Sequence, residues 1–102
     1  MKAIIKGKRY NTETAEELTR LYCSANSGDF SWHRTGLYRT QAGAFFLAGE
    51  GNASSMWATP ARGGGSGPGS GIRVITAGEA REILERENEQ DALERYFEIS
   101  DA

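Results

Sequence analysis

Cys23 and His33 are the residues of this chain best suited to covalent chemistry, and each is the only one of its type. A nucleophilic cysteine needs a base within hydrogen-bond reach and a third group that orients the base. Cys23, however, lies beside the apolar positions of a predicted helix, where a cysteine usually packs as a small hydrophobic side chain. One cysteine and one histidine also cannot supply the usual ligand set of a structural zinc site. The pattern therefore predicts a protein that is not an enzyme, with no catalytic residue, metal ligand or cofactor.

A glycine-rich stretch is the second place where chemistry could occur, since such loops can hold phosphate groups or a nucleophilic serine. Residues 62–71 lack the lysine of a phosphate-binding loop, because no lysine follows Lys8. The serines also miss the Gly-x-Ser-x-Gly spacing, since Pro68 takes the position of a flanking glycine. We therefore interpret residues 62–71 as a flexible loop within a single domain that spans residues 1–102.

Two loops carry the residue types that anchor protein interfaces. Trp32, His33 and Arg34 follow the first predicted helix, and tryptophan and arginine are common at the centres of interfaces. Glu50 and Trp57 follow the second predicted hairpin, where glycines permit close approach of a partner. The same aromatic residues are consistent with packing at the edge of the core, so both interpretations stay open at this point.

Charge is divided unequally along the chain, although the net charge is only −2. Residues 77–102 hold nine of the 14 acidic residues but only three of the 12 basic ones, so they carry −6 and residues 1–76 carry +4. On the predicted C-terminal helices, Glu82, Glu85 and Glu89 are candidate contacts for a basic protein partner. A solvated helix face would explain the same acidic residues, and this alternative also stays open.

The basic N-terminal part of the chain supports an alternative function, which is direct binding of nucleic acid. Cationic side chains that share a sheet face with aromatic rings could contact phosphates and stack on bases. The residues concerned are Lys2, Lys6, Lys8, Arg9, Arg34, Arg39, Arg62 and Arg73, with Tyr10, Trp32 and Tyr38. The sequence pI of about 5.4 and the lack of a known nucleic-acid-binding motif make this the less favoured alternative.

The first half of the chain predicts strands and one helix. Residues 2–10 are typical of a short hairpin or a bent strand. Residues 15–24 are predicted to be a helix, because Thr14 and Glu17 match a capping box and apolar residues recur at helical spacing. Gly43 is expected to close a second hairpin, whose second arm is apolar at successive positions and therefore central in the sheet.

The second half predicts the rest of an α+β fold. Residues 55–58 and 72–75 are expected to be further strands. Thr76 and Glu79 match a second capping box and begin two short C-terminal helices or one bent helix. The expected architecture is a mainly antiparallel β-sheet with one N-terminal helix and one or two C-terminal helices packed on one face.

Several short motifs occur along most of the chain. They are Gly7-Lys8-Arg9-Tyr10-Asn11-Thr12-Glu13-Thr14-Ala15, Leu37-Tyr38-Arg39-Thr40 with Gly43, Phe46-Leu47 with Gly49-Glu50-Gly51, and Thr76 with Glu79-Ala80. Together they resemble a family of small bacterial and mobile-element proteins that read G-K-x-Y-x-T-E-T-A, then L-Y-R, then F-L-x-G-E-G, and that have no assigned activity. Small acidic proteins of such elements are often inhibitors of host defence, including anti-CRISPR proteins. The resemblance therefore implies an inhibitor from a phage or mobile element.

The expected location is the cytoplasm. No apolar run approaches the roughly 20 residues of a membrane span, and the N-terminus turns polar too early for a secretory signal. The function that the sequence favours is a non-enzymatic protein-binding inhibitor. We expect it to block a nucleic-acid-handling complex, such as a CRISPR effector, by placing the acidic helices in a basic groove of that complex.

Overall fold

The computed structural model describes residues 1–102 and has an α+β fold of eight strands and two helices. The elements in chain order are β1 (Lys2–Ile5), β2 (Lys8–Asn11), β3 (Glu16–Arg20), β4 (His33–Arg39), β5 (Phe45–Gly51), β6 (Thr59–Pro60), β7 (Ser66–Gly67), β8 (Gly69–Ile75), α1 (Ala77–Arg86) and α2 (Gln90–Tyr96). All strand pairs are antiparallel, which confirms the predicted fold class at this level. No helix combines the length and the apolar character that crossing a membrane requires.

Four strands form the central sheet in the order β3-β4-β5-β8. The side chains of β5 alternate between two apolar clusters, with Phe45 and Leu47 in one and Phe46 and Ala48 in the other. A strand buried on both faces is apolar at successive positions, which is the pattern of this segment. The predicted central strand is therefore confirmed.

Different layers cover the two faces of this sheet. On the face that we call the helix face, α1 and α2 place Ala80, Leu84 and Leu93 in a core of nine buried residues. On the opposite hairpin face, β1 and β2 pack Tyr10 against Phe46 in a smaller core of three buried residues. The sheet thus separates the N-terminal hairpin from the C-terminal helices.

The predicted N-terminal helix over residues 15–24 is wrong, because both helices of the protein are C-terminal and this segment contains β3. Glu17 does not cap a helix, since its carboxylate accepts a hydrogen bond from Tyr38 Oη on β4 at 2.9 Å. Of the apolar residues at helical spacing, Leu18 is buried but Tyr22 is 76% exposed. A single short helix is marginal in water, whereas pairing with β4 satisfies the backbone and buries Leu18. The strand is consequently favoured.

The protein contains both hairpins, the first of which was one of two alternatives predicted for residues 2–10. Lys6 and Gly7 form the β1–β2 turn with φ angles of 51° and 78°, the conformation of a two-residue type I′ turn. At the β4–β5 turn, Gly43 has a φ of 94°, and its N–H donates to the Thr40 carbonyl at 3.0 Å. Both turns therefore use positive φ angles, which glycine adopts without strain at Gly7 and Gly43.

The glycine-rich stretch contributes to strands. β6 pairs with β7, and β8 begins at Gly69, earlier in the chain than predicted, and pairs with β5 along its length. The strand predicted over residues 55–58 is not formed, and β6 follows it at Thr59. The predicted flexibility of residues 62–71 is a statement about their motion in solution, and it stays a prediction.

Two short helices are the last elements of the chain, which is one of the two predicted alternatives, the other being one bent helix. The capping box of α1 is confirmed, because Thr76 Oγ1 accepts the Glu79 N–H at 3.1 Å and the Glu79 carboxylate accepts the Thr76 N–H at 3.0 Å. After α1, Asn88 takes a left-handed φ of 58°, which breaks the helix. The carboxylate of Glu16 then holds α2 to β3, since it pairs with Arg95 Nη1 at 3.0 Å.

Candidate functional site

The structure brings four predicted partner-binding residues together at one end of the central sheet. Arg34 of β4 lies directly opposite Glu50 of β5, and His33 precedes Arg34 on the same strand. The guanidinium carbon of Arg34 lies 5.8 Å from the centre of the Trp32 ring. Arg34 and Glu50 are exposed and Trp32 is half-buried. We call Trp32, Arg34 and Glu50 the β4–β5 patch, which offers a partner a cation, an anion and an aromatic face.

Phe30 lies two residues before the patch, and the prediction of partner-binding residues missed it. Its side chain is 76% exposed, although its backbone is held, because its carbonyl accepts the Ser54 N–H at 2.7 Å. The Asn52 side-chain amide fixes the same loop by donating to the carbonyls of Ser27 at 3.0 Å and Asp29 at 2.8 Å. A large apolar residue within a run of polar ones was the available sequence signal. An aromatic ring on a fixed loop loses little entropy when a partner binds.

Trp57 lies in the core on the helix face, with only 6% of its surface exposed. Its Nε1–H donates to Thr35 Oγ1 at 2.8 Å. The indole lies over Gly49 and Gly71, where an added Cβ would be 2.9 Å from Nε1 and 3.6 Å from Cζ3 of the ring. These glycines leave room for the ring against the sheet, so packing explains Trp57 and little of its surface is left for a partner.

His33 shares the buried hydroxyl of Thr35 with Trp57. Its Nδ1 lies 2.9 Å from Thr35 Oγ1, and Thr35 is 1% exposed. The indole N–H can only donate, so the Thr35 hydroxyl proton is left to face either His33 Nδ1 or Met56 Sδ, the latter at 3.8 Å. This arrangement orients the half-buried His33 ring. No three His, Cys, Asp or Glu side chains are arranged to hold a metal ion.

A groove of about 250 Å³ lies on the hairpin face next to the β4–β5 patch. Glu17, Arg20, Arg34 and Tyr38 are among the residues that line it. The Glu17 carboxylate accepts from Tyr38 Oη at 2.9 Å and from Arg20 Nε at 3.1 Å. Burial, together with this hydrogen bond, raises the pKa of the Tyr38 phenol. Arg34 has no carboxylate within ion-pair distance, so the groove leaves this cation unpaired.

Glu82, Glu85 and Glu89 lie apart from the patch, on the helical part of the protein. Glu82 and Glu85 are exposed on α1, and Glu89 is half-buried at the start of α2. None of the three takes part in an ion pair, because the two ion pairs of the protein involve other glutamates. The structure therefore does not join these residues to the patch, and it places them outside any ion pair.

The two oppositely charged segments of the chain cover opposite faces of the sheet. Residues 77–102, which we call the acidic helical layer, cover the helix face and carry −6. Residues 2–11, which we call the basic hairpin, cover the other face and contain four cationic side chains and no acidic one. The charge asymmetry of the sequence thus becomes a separation in space.

The basic and aromatic residues considered for nucleic-acid binding do not share one face. Arg39 lies over the Tyr96 ring at 4.2 Å on the helix face. Arg73 lies over the Trp57 ring at 5.6 Å on the same side. Tyr10 is buried on the hairpin face. A combined stacking and phosphate-binding surface is therefore not assembled from this set as a whole.

Comparisons with known proteins returned no match: neither a family model, nor a curated protein, nor a solved structure is similar to the chain. The resemblance in sequence motifs and the anti-CRISPR function that it implies stay predictions. The charge distribution and the exposed side chains are the features of the protein that bear on its function.

Proposed function

We propose that this protein is a non-enzymatic, cytoplasmic inhibitor from a phage or mobile element that binds a nucleic-acid-handling complex. The acidic helical layer occupies a basic groove of its partner that otherwise holds nucleic acid. A CRISPR effector is the partner class that the motif resemblance favours, so the protein would act as an anti-CRISPR protein.

The observation that carries this proposal is the unpaired negative charge on a rigid support. Glu82 and Glu85 are exposed on the outside of α1, while Ala80 and Leu84 on the same helix are fully buried. Because the buried side fixes the helix, the backbone that carries these two glutamates is held in place. Their mutual repulsion is relieved when a cationic surface approaches, which favours association with basic partners and accelerates the encounter.

The β4–β5 patch, with Phe30, supplies a second contact of a different kind. Trp32 and Phe30 offer apolar area, and Arg34 and Glu50 offer one charge of each sign. Aromatic and arginine side chains at the centre of an interface contribute most to the dissociation rate. In this proposal the helical layer attracts basic partners, and the patch distinguishes among them.

The test compares two variants, each changed at one exposed glutamate, for the rate at which they associate with purified CRISPR effector proteins that carry no guide RNA. Glu85→Lys changes the acidic helical layer, and Glu13→Lys makes the same change of net charge outside it. We expect Glu85→Lys to slow association by roughly three- to tenfold at low salt, because it weakens electrostatic steering. Glu13→Lys is expected to leave the rate nearly unchanged.

Surface plasmon resonance at two salt concentrations measures both rates. Simultaneous replacement of Glu82, Glu85 and Glu89 by glutamine should slow association further and make the association rate less dependent on salt. Equal slowing by Glu85→Lys and Glu13→Lys would show that only net charge matters, and it would remove the helical layer from the mechanism. Absence of binding to every effector would exclude this partner class.

A further inference from the structure

The basic hairpin is a separate charged surface that the acidic helical layer does not use. Its cationic side chains are Lys2, Lys6, Lys8 and Arg9, all of which are exposed. None of them lies in an ion pair, because the two ion pairs of the protein are Arg20–Glu17 and Arg95–Glu16. Four unpaired cations on a ten-residue hairpin are complementary in charge to a polyanion.

The geometry of the hairpin directs part of this charge outward. Ile5 and Tyr10 pack toward the sheet against the core of the hairpin face. On β1, Lys2 and Ile4 alternate with Ala3 and Ile5, so their side chains point away from the sheet. Their partners on β2, Asn11 and Arg9, lie on the same outer surface. Ile4 is 71% exposed there. The outer surface of this two-stranded ribbon therefore carries Lys2 and Arg9 beside one apolar side chain, whereas Lys8 pairs with Ile5 and shares its sheet-facing side.

The character of the outer surface distinguishes between kinds of nucleic acid. Single strands are held mainly by stacking of bases on exposed aromatic rings. The one aromatic residue of the hairpin, Tyr10, is 6% exposed and packs edge-on against Phe46 in the core. A ribbon of two antiparallel strands fits the major groove of duplex DNA, where lysine and arginine reach the phosphates.

We propose that the basic hairpin binds the phosphate backbone of duplex DNA without reading its sequence. The cations on the hairpin supply the attraction, and the sheet keeps the bound DNA away from the acidic helical layer. This inference does not rest on the acidic helical layer, because the two charged surfaces lie on opposite faces of the sheet. It goes beyond the proposed inhibitor function by giving the protein a second ligand.

The test measures binding of a fluorescent duplex of about 20 base pairs by anisotropy, at salt concentrations from roughly 50 to 200 mM. If Lys2 and Arg9 on the outer surface and Lys6 at the turn contact phosphates, the logarithm of the binding constant should fall with the logarithm of salt with a slope of about −2.7. Replacing Lys2 and Arg9 by glutamine should reduce the steepness of that slope by about 1.8 and weaken binding at least tenfold at the lowest salt.

A matched control variant replaces Arg81 and Arg86 by glutamine, which lowers the net charge by the same amount on the exposed side of α1. Its affinity and salt slope should equal those of the unchanged protein. Equal loss in the two variants would show a response to net charge alone and overturn the assignment to the hairpin. No binding at low salt, or tighter binding of the corresponding single strand, would also overturn the proposal. Circular dichroism melting verifies that both variants are folded.

Discussion

The two faces of the central sheet differ in what stabilises them and in what they expose. The helix face is held by nine buried residues and by the hydrogen bond from Trp57 to Thr35, and its exterior is acidic. The hairpin face is held by three buried residues, and its exterior is basic. One thin sheet can therefore carry two oppositely charged surfaces. The difference in core size also implies that the hairpin opens locally before the helical side does.

The largest expected effect is on the free energy of unfolding, and it should differ between alanine variants of the two tryptophans. Trp57→Ala removes a buried ring and leaves Thr35 without a donor, so we expect a loss of about 3–5 kcal/mol in the free energy of unfolding. Trp32→Ala, in the half-buried β4–β5 patch, should cost less than about 1.5 kcal/mol. Urea denaturation measures both. Equal losses would mean that Trp32 supports the fold as Trp57 does, and the patch would lose its aromatic contact role.

A smaller loss of stability is expected from a change in the β1–β2 turn of the basic hairpin. Gly7 and Gly28 both have open space where a Cβ would lie, but only Gly7 has a positive φ, at 78°. Gly7→Ala is therefore expected to cost about 1–2 kcal/mol from backbone strain alone. Gly28→Ala should be neutral or stabilise by up to about 1 kcal/mol, because it restricts the unfolded chain.

Hydrogen exchange locates where the Gly7→Ala strain acts. Amides of residues 2–11 should exchange faster in this variant, while those of α1 and α2 keep their protection. Faster exchange throughout the protein would show that the two faces unfold as one unit, and the contrast between them would then fail.

The smallest effect concerns pH at the groove on the hairpin face. Burial, and then the hydrogen bond to Glu17, raises the pKa of Tyr38 in the folded protein. The folded state therefore holds this proton more tightly than the unfolded chain, in which the tyrosine pKa is about 10. The resulting stabilisation is present below about pH 10 and is lost as pH rises through the folded-state pKa.

Ultraviolet absorbance titration of the phenol follows this behaviour directly. Glu17→Gln removes the carboxylate, so the Tyr38 pKa should fall toward its ordinary value. The stability difference between the unchanged protein and Tyr38→Phe should shrink at alkaline pH. A Tyr38 pKa that does not respond to Glu17→Gln would contradict the hydrogen-bonded arrangement.

Two identical local signals in the sequence had different outcomes. Thr76 and Glu79 form a capping box at the start of α1, and the same spacing at Thr14 and Glu17 predicted a helix that is not present. A cap contributes only about 1 kcal/mol. In β3, backbone pairing with β4 and burial of Leu18 outweigh that contribution. Local motifs therefore identified a helix only where nothing distant competed.

The candidate site was predictable to a similar extent. Pairing in the sheet brings Arg34 and Glu50 together, although the sequence only indicated that both follow or precede loops. The distinction between Trp32 and Trp57 depended on Gly49 and Thr35, which make room and a hydrogen bond for one ring only. Neither neighbour lies close to Trp57 in the chain, so residue type and local spacing could not have shown which tryptophan is buried.

The sequence by itself determined the α+β class, the central strand around Phe46, the C-terminal helices and the division of charge along the chain. These features follow from apolar periodicity, capping and composition, which depend on residues close together in the chain. Only the tertiary structure decided that residues 16–20 form a strand, that Trp57 is buried and that the opposite charges lie on opposite faces. Each of these depends on pairing and burial between distant residues, whose free energies exceed local preferences.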